Sequence, residues 1–144
     1  MAITSAVCNS FKVEILKAVH NFTVTSGNTF NLSLYTSSAT LNKSTTAYTT
    51  SNEVASSGGY TAKGKALTSV TPVLSTDTAV CDFANVSWTS ASFTSRGCLI
   101  FNDSAASDQS VCAIDFGGDK TVTSGTFTIE FPAATAGNAI IGIA

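Results

Sequence analysis

Hydrophobic and polar positions change their period once along this chain, near His20. Up to that point, "SAVCNSFKVEILKAVH" (residues 5–20) places Phe11, Ile15, Leu16 and Val19 at spacings of four, five and eight, with Lys12, Glu14 and Lys17 between them. This spacing predicts one amphipathic helix over about 5–20, capped at its start by Ser5 or Ser10. Beyond it the pattern becomes short apolar runs of period two, divided by Gly, Asn, Asp and Ser. "TFNLSLYT" (residues 29–36) sets Phe30, Leu32 and Leu34 against Asn31, Ser33 and Tyr35, and "SGN" supplies the turn before it.

Further strands are expected over 65–74, 78–83, 92–102, 110–116, 121–131 and 138–144. In "TAVCDF" the alternation groups Ala79, Cys81 and Phe83, so Asp82 points away. In "SVCAIDF" it groups Cys112, Ile114 and Phe116, with Asp115 opposite, and "DFGGD" (115–119) is read as a turn. "TVTSGTFTIEF" places Phe127, Ile129 and Phe131 on one face and Glu130 on the other. The stretch "SWTSASFTSRGCLIFND" divides at Gly97. Before that glycine the chain is polar and strand-like; after it, "CLIF" has no alternation and must be covered on both faces. Gly97 is the expected bend, and Arg96 an edge charge with a carboxylate for partner.

About seven strands with turn signals every 8 to 12 residues predict a mainly β chain. The expected architecture is an antiparallel β-sandwich or flattened barrel with one N-terminal α-helix, as a single domain over 1–144. One stretch does not fit a strand. Residues 37–59 have only Leu41, Tyr48 and Val54 as apolar anchors, and a loop of that length reads as functional, an arm, or a segment ordered by a partner.

Composition sharpens this picture. Only 11% of residues are charged, the net charge is −2, and 42 of the 144 residues are Ser or Thr. Hydroxyl and β-branched residues suit half-buried strands. A sparse, balanced charge argues against direct nucleic-acid binding, and no segment approaches the apolar length of a membrane helix. A surface so poor in charge suits a chain that lives in an assembly. The N-terminus lacks a basic region followed by an apolar stretch, so no signal peptide is expected. Cys8, Cys81, Cys98 and Cys112 are widely spaced, and without secretion they are expected to be free core thiols.

Candidate chemistry is thin. His20 is the only histidine, so a Ser or Cys nucleophile has one available base, and at a helix end that residue is expected to be structural. Asp82 and Asp115 are the one carboxylate pair that strand geometry could align for acid and base work, against the plainer reading of two solvated side chains. "SSGGYTAKGK" (56–65) is Gly-rich but lacks P-loop spacing. Tyr35, Tyr48, Tyr60 and Trp88 could build a sugar-stacking platform, or serve the core. No catalytic residue, metal site or cofactor is expected.

In combination, "CNSFKVEILKAVHNF" (8–22), "FNLSLYTSSATLNKSTTAYTTSNEV" (30–54), "GGYTAKGKAL" (58–67) and "RGCLIFND" (96–103) resemble a family of small virion structural proteins. These belong to tailed double-stranded DNA bacteriophages, notably marine and cyanobacterial ones. The resemblance implies a non-enzymatic component of the particle, made in the bacterial cytoplasm, with a capsid decoration or cement protein as the first expectation. A tail or fibre component, including a receptor- or glycan-binding module, is the alternative. The expected partners are the major capsid protein and copies of the chain itself, as a trimer or other closed oligomer. Tyr48, Val54 and Tyr60 are the candidate interface residues.

Overall fold

A computed structural model describes residues 2–144. Its elements in chain order are β1 (Ala6–Val7), α1 (Asn9–Leu16), β2 (Phe30–Tyr35), β3 (Lys65–Ala66), β4 (Ser69–Ser75), β5 (Thr78–Phe83), β6 (Val86–Asn102), β7 (Ser110–Ile129) and β8 (Ile141–Ile143). They form two antiparallel sheets, one of five strands in the order β1-β7-β6-β2-β3 and one of three in the order β4-β5-β8. The chain is therefore mainly β and sandwich-like. The sheets remain separate, with open edges, so the flattened-barrel alternative does not apply.

The dominant feature is a long hairpin. β6 and β7 pair from Val86↔Ile129 to Phe101↔Ser110, joined by the turn at 103–109. "DFGGD" is not a turn, because β7 runs through it without ending. The extra residues are absorbed as an irregularity between Gly97↔Asp115 and Ser95↔Lys120, with Gly117 at a φ of 78°. Gly97 lies at the expected irregular point of β6. A Cβ there would stand 2.5 Å from the Ile114 carbonyl oxygen, so only glycine lets the strands close.

The expected strand at 65–74 is two strands in different sheets. Lys65 and Ala66 pair with β2, then the chain crosses through buried Leu67 and pairs with β5 from Ser69 onward. The helix is also shorter than its periodicity suggests. Ala6 and Val7 pair with Ala113 and Cys112 at the edge of β7, which draws residues before Cys8 out of any helix. At the other end Ala18 takes a φ of 58°, and the Lys17 and Val19 N–H groups both return to the Glu14 carbonyl. Cys8, not Ser5 or Ser10, occupies the N-cap, and no side chain caps it.

Phe11 is buried, but Leu16 is 88% exposed. A five-residue step turns a helix by about 500°, which leaves Leu16 roughly 140° away from Phe11. Only the four-residue partner, Ile15, stays near the core face.

Between the sheets lies the main core. Leu32, Leu34, Cys98, Ile100 and Cys112 from the large sheet meet Cys81 and Phe83 from the small one, with Phe11 and Phe22 at one end and Trp88 at the other. Phe22 and Phe30 stack with centroids 4.3 Å apart. The opposite face of the large sheet is also covered. Tyr35, Leu99 and Ala113 join Ile3, Ala39 and Leu41 in a second buried cluster. This explains the missing alternation in "CLIF": Cys98 and Ile100 face one core, and Leu99 faces the other.

Candidate functional site

The second face is closed by the stretch 37–59. It contains no regular strand, yet it is tied down along its length. Leu41 exchanges backbone hydrogen bonds with Ala2 and Thr4, the Ser110 N–H donates to Thr46, the Tyr48 N–H to Asp108, and the Val54 N–H to Leu34. A loop laid over a sheet must satisfy its own polar backbone, and these contacts do so.

Its central anchor is Glu53. One carboxylate oxygen accepts the Tyr60 hydroxyl at 2.6 Å and the Lys63 N–H at 2.8 Å; the other accepts the Tyr48 hydroxyl at 2.6 Å. The Tyr60 oxygen in turn accepts the Leu34 N–H at 2.9 Å, which connects the loop to the middle of β2. Burial, with the Glu53 carboxylate beside them, holds the Tyr48 and Tyr60 phenols well above their ordinary range. Burial likewise pushes Tyr35 up to about 12, and its hydroxyl donates to the Thr49 carbonyl at 2.7 Å. All three stay protonated donors at any physiological pH.

Of the three candidate interface residues, Val54 and Tyr60 are buried. Only Tyr48 is half-exposed, and its ring stacks on Phe101 with centroids 4.8 Å apart. Burial leaves Val54 and Tyr60 little surface to offer a partner in this conformation. The sugar platform fails for the same reason. Tyr35 and Trp88 are at most 1% exposed, and Trp88 meets Phe93 and Phe127 edge-on.

The candidate carboxylate pair is not brought together. Asp115 lies on β7, where its carboxylate accepts the Arg96 Nε–H at 2.9 Å and the Gly117 N–H at 3.0 Å. The Arg96 guanidinium holds it below the usual carboxylate range. Asp82 sits in the other sheet on β5, and contrary to its expected solvent exposure it is buried. One of its oxygens accepts the Phe83 N–H; the other has no partner, and burial pushes its pKa up.

His20 is buried on Phe11, with its Nε2 2.7 Å from Glu14 and its Nδ1 3.1 Å from the Asn102 amide nitrogen. The amide donates to Nδ1, which leaves the ring proton on Nε2, facing the carboxylate. It orders the helix end. The Gly-rich stretch is packing as well: a Cβ on Gly64 would lie 1.8 Å from the Leu32 carbonyl oxygen, and one on Gly58 2.1 Å from that of Ser92. Lys63, beside it, is held by Asp103 at 3.0 Å and Asp108 at 2.9 Å. All four cysteines are buried and unpaired, and burial raises each thiol, Cys81 to about 12.

The largely hydroxyl-bearing surface also carries exposed apolar side chains. Leu16 and Val13 on α1, Val73 and Leu74 on β4, and Ile143 on β8 are about half-exposed or more, with Leu74 at 71%. A groove of about 610 Å³ runs beside β7, lined by Ile114, Phe116, Val122, Phe127, Ile129 and Phe131 among others. Sequence reasoning did not reach these surfaces. "SVTPVLS" reads as an ordinary strand, and only the sheet order shows that its apolar residues lack a cover.

No family model, curated protein or solved structure matches the chain. The fold and its surfaces define a two-sheet β protein with a belted outer face and uncovered apolar patches.

Proposed function

We propose that this chain is a non-enzymatic structural protein of a tailed bacteriophage particle, decorating the outer capsid surface and stabilising the shell. The observation that carries the reading is the uncovered apolar surface on α1, β4 and β8, set in a chain with few charges. Exposed large side chains clustered on neighbouring elements mark surfaces meant to be covered by other proteins. A decoration protein needs such broad contact rather than a deep polar pocket, because its grip is multiplied by the symmetry of the shell.

The sequence resemblance supplies the kind of assembly. The belted loop supplies rigidity to the large sheet, since Glu53 holds it to Tyr48, Tyr60 and the Lys63 N–H. In this reading the contact surface lies on the small sheet and helix, and the 37–59 belt stiffens the opposite face.

The test is reconstitution. Purified chain is added to particles that lack it, and shell survival after heating or osmotic shock is measured with and without the protein. Decoration predicts saturable binding and greater survival; Leu74→Asp with Leu16→Asp, both at exposed positions, abolishes both effects without unfolding the chain. No binding to shells, with binding to isolated tails or host cells instead, would replace this reading by the tail or fibre one.

A further inference from the structure

The two sheets end on either side of a gap. β1 is an edge strand of the large sheet, β8 is an edge strand of the small one, and α1 lies against both. Val7 of β1, Phe11, Ile15 and Leu16 of α1, and Ile141 and Ile143 of β8 line a groove of about 330 Å³ there. The groove touches all three residues of β8 and none of β5, so it follows the side of β8 that faces away from its own sheet.

The wall that β8 provides is not only apolar. Gly142 has no side chain, so the atoms it gives the groove are those of the main chain. β8 bonds to β5 on one side, and among the described residues no further backbone hydrogen bond reaches 141–143. Successive residues of an antiparallel strand turn their N–H and C=O groups to opposite sides, so donors and acceptors of β8 open into the groove unpaired. Water satisfies them in the free chain. Whatever displaces that water must replace its hydrogen bonds, which an aliphatic ligand cannot do and another extended backbone can.

Charge narrows the occupant further. Lys12 stands on the groove wall, and its ammonium donates only to the Asn9 side-chain oxygen, at 3.2 Å. Lys17 on the segment that follows α1 is exposed as well. Neither has an ion-pair partner among the described residues, because Glu14, the one acid of α1, is held by His20 at 2.7 Å. Residues 2–8 and 131–144 contribute no charged side chain, so the free charge on the groove walls is positive. Exposed main chain, apolar walls and an unpaired ammonium each ask for a different feature, and one kind of ligand carries all three.

We infer that the groove takes an extended apolar segment of a shell subunit, which pairs with β8 as a fourth strand of the small sheet and places a carboxylate beside Lys12. Its apolar side chains fill the space between β8 and α1. The inference rests on the shell-binding reading above and gives that surface its mode of contact.

Hydrogen–deuterium exchange of the full chain, free and bound to shells that lack it, tests this. The outward amides of 141–143 should exchange fast in the free chain and at least roughly tenfold more slowly on the shell. Lys12→Glu should weaken shell binding by roughly tenfold, whereas Lys120→Glu, on β7 outside this groove, should leave it unchanged. Binding to shells with unchanged exchange at 141–143 would overturn the inference and leave the decoration reading standing; no binding at all would remove both. A Lys12→Glu chain that binds as tightly as the native one would also overturn it. Two results would do so by naming another occupant. Slow exchange at these amides in the free chain that is lost on dilution would assign the groove to a second copy, and equal protection by dodecanoate alone would assign it to an anionic amphiphile.

Discussion

Replacing Glu53 by alanine should loosen the whole belt. The carboxylate collects three donors, the Tyr48 and Tyr60 hydroxyls and the Lys63 N–H, and two of these distances are 2.6 Å. Hydrogen bonds to a charged acceptor contribute about 1.5–3 kcal/mol each when buried, but Glu53 is half-exposed, so about 1 kcal/mol each is the appropriate scale. The expected loss is ~3 kcal/mol, which for a domain of this size lowers Tm by roughly 6–12 °C. Glu53→Gln keeps one acceptor oxygen and should lose about half as much. Chemical denaturation of wild type, Glu53→Ala, Tyr60→Phe and the double variant closes a cycle, in which a coupling of about 1 kcal/mol is expected for the pair. A Glu53→Ala loss below ~0.5 kcal/mol, within the range of an ordinary surface substitution, would refute the anchoring role.

Other outcomes follow from the same packing. Asp82 has a raised pKa in the folded chain, so its ionisation opposes folding: the penalty is absent below the ordinary carboxylate value of 3.8 and grows as pH rises through the raised one. Asp82→Asn should therefore stabilise the chain by about 1 kcal/mol at neutral pH and not at pH 3, measured as Tm against pH; an equal effect at both would contradict this. Gly64→Ala forces a Cβ against the Leu32 carbonyl at a φ of 66°, and should cost ~3 kcal/mol or prevent folding, whereas Gly118→Ala, where a Cβ meets nothing within 4 Å, should be nearly neutral in the same thermal melts. Ellman's reagent should find no reactive thiol in native protein and all four after denaturation; rapid labelling of the native chain would show that the core is open.

The parts of the fold that were legible were those set by local alternation. Phe30 to Tyr35 read as a strand because its side chains alternate, and "CLIF" read as doubly covered because its side chains do not. Gly97 read correctly as a bend, and Arg96 as an edge charge. What sequence could not give was pairing over distance. "DFGGD" carries turn residues, yet β6 supplies a partner along its whole length and the glycines become a bulge in a continuous strand. Residues 5–7 have helical neighbours, but the edge of β7 captures them.

Two of the three candidate interface residues turn inward for a related reason. Tyr48, Val54 and Tyr60 stand out in a polar stretch, and isolated apolar residues in a loop can face a partner or the loop's own sheet. Here Glu53 and β2 draw Val54 and Tyr60 inward. The signal that could have decided it was the absence of alternation in "CLIF", which already required a cover for the second face of the sheet; 37–59 is the longest segment free to provide it. The surfaces left bare, on α1, β4 and β8, depend on which sheet each strand joins, and periodicity does not encode that.

The most direct test of the proposed role is the copy number of the chain in purified phage particles, obtained by quantitative mass spectrometry against the major capsid protein. A shell decoration predicts hundreds of copies, in a fixed small ratio to the capsid subunit. A handful of copies per particle, or none, would contradict it.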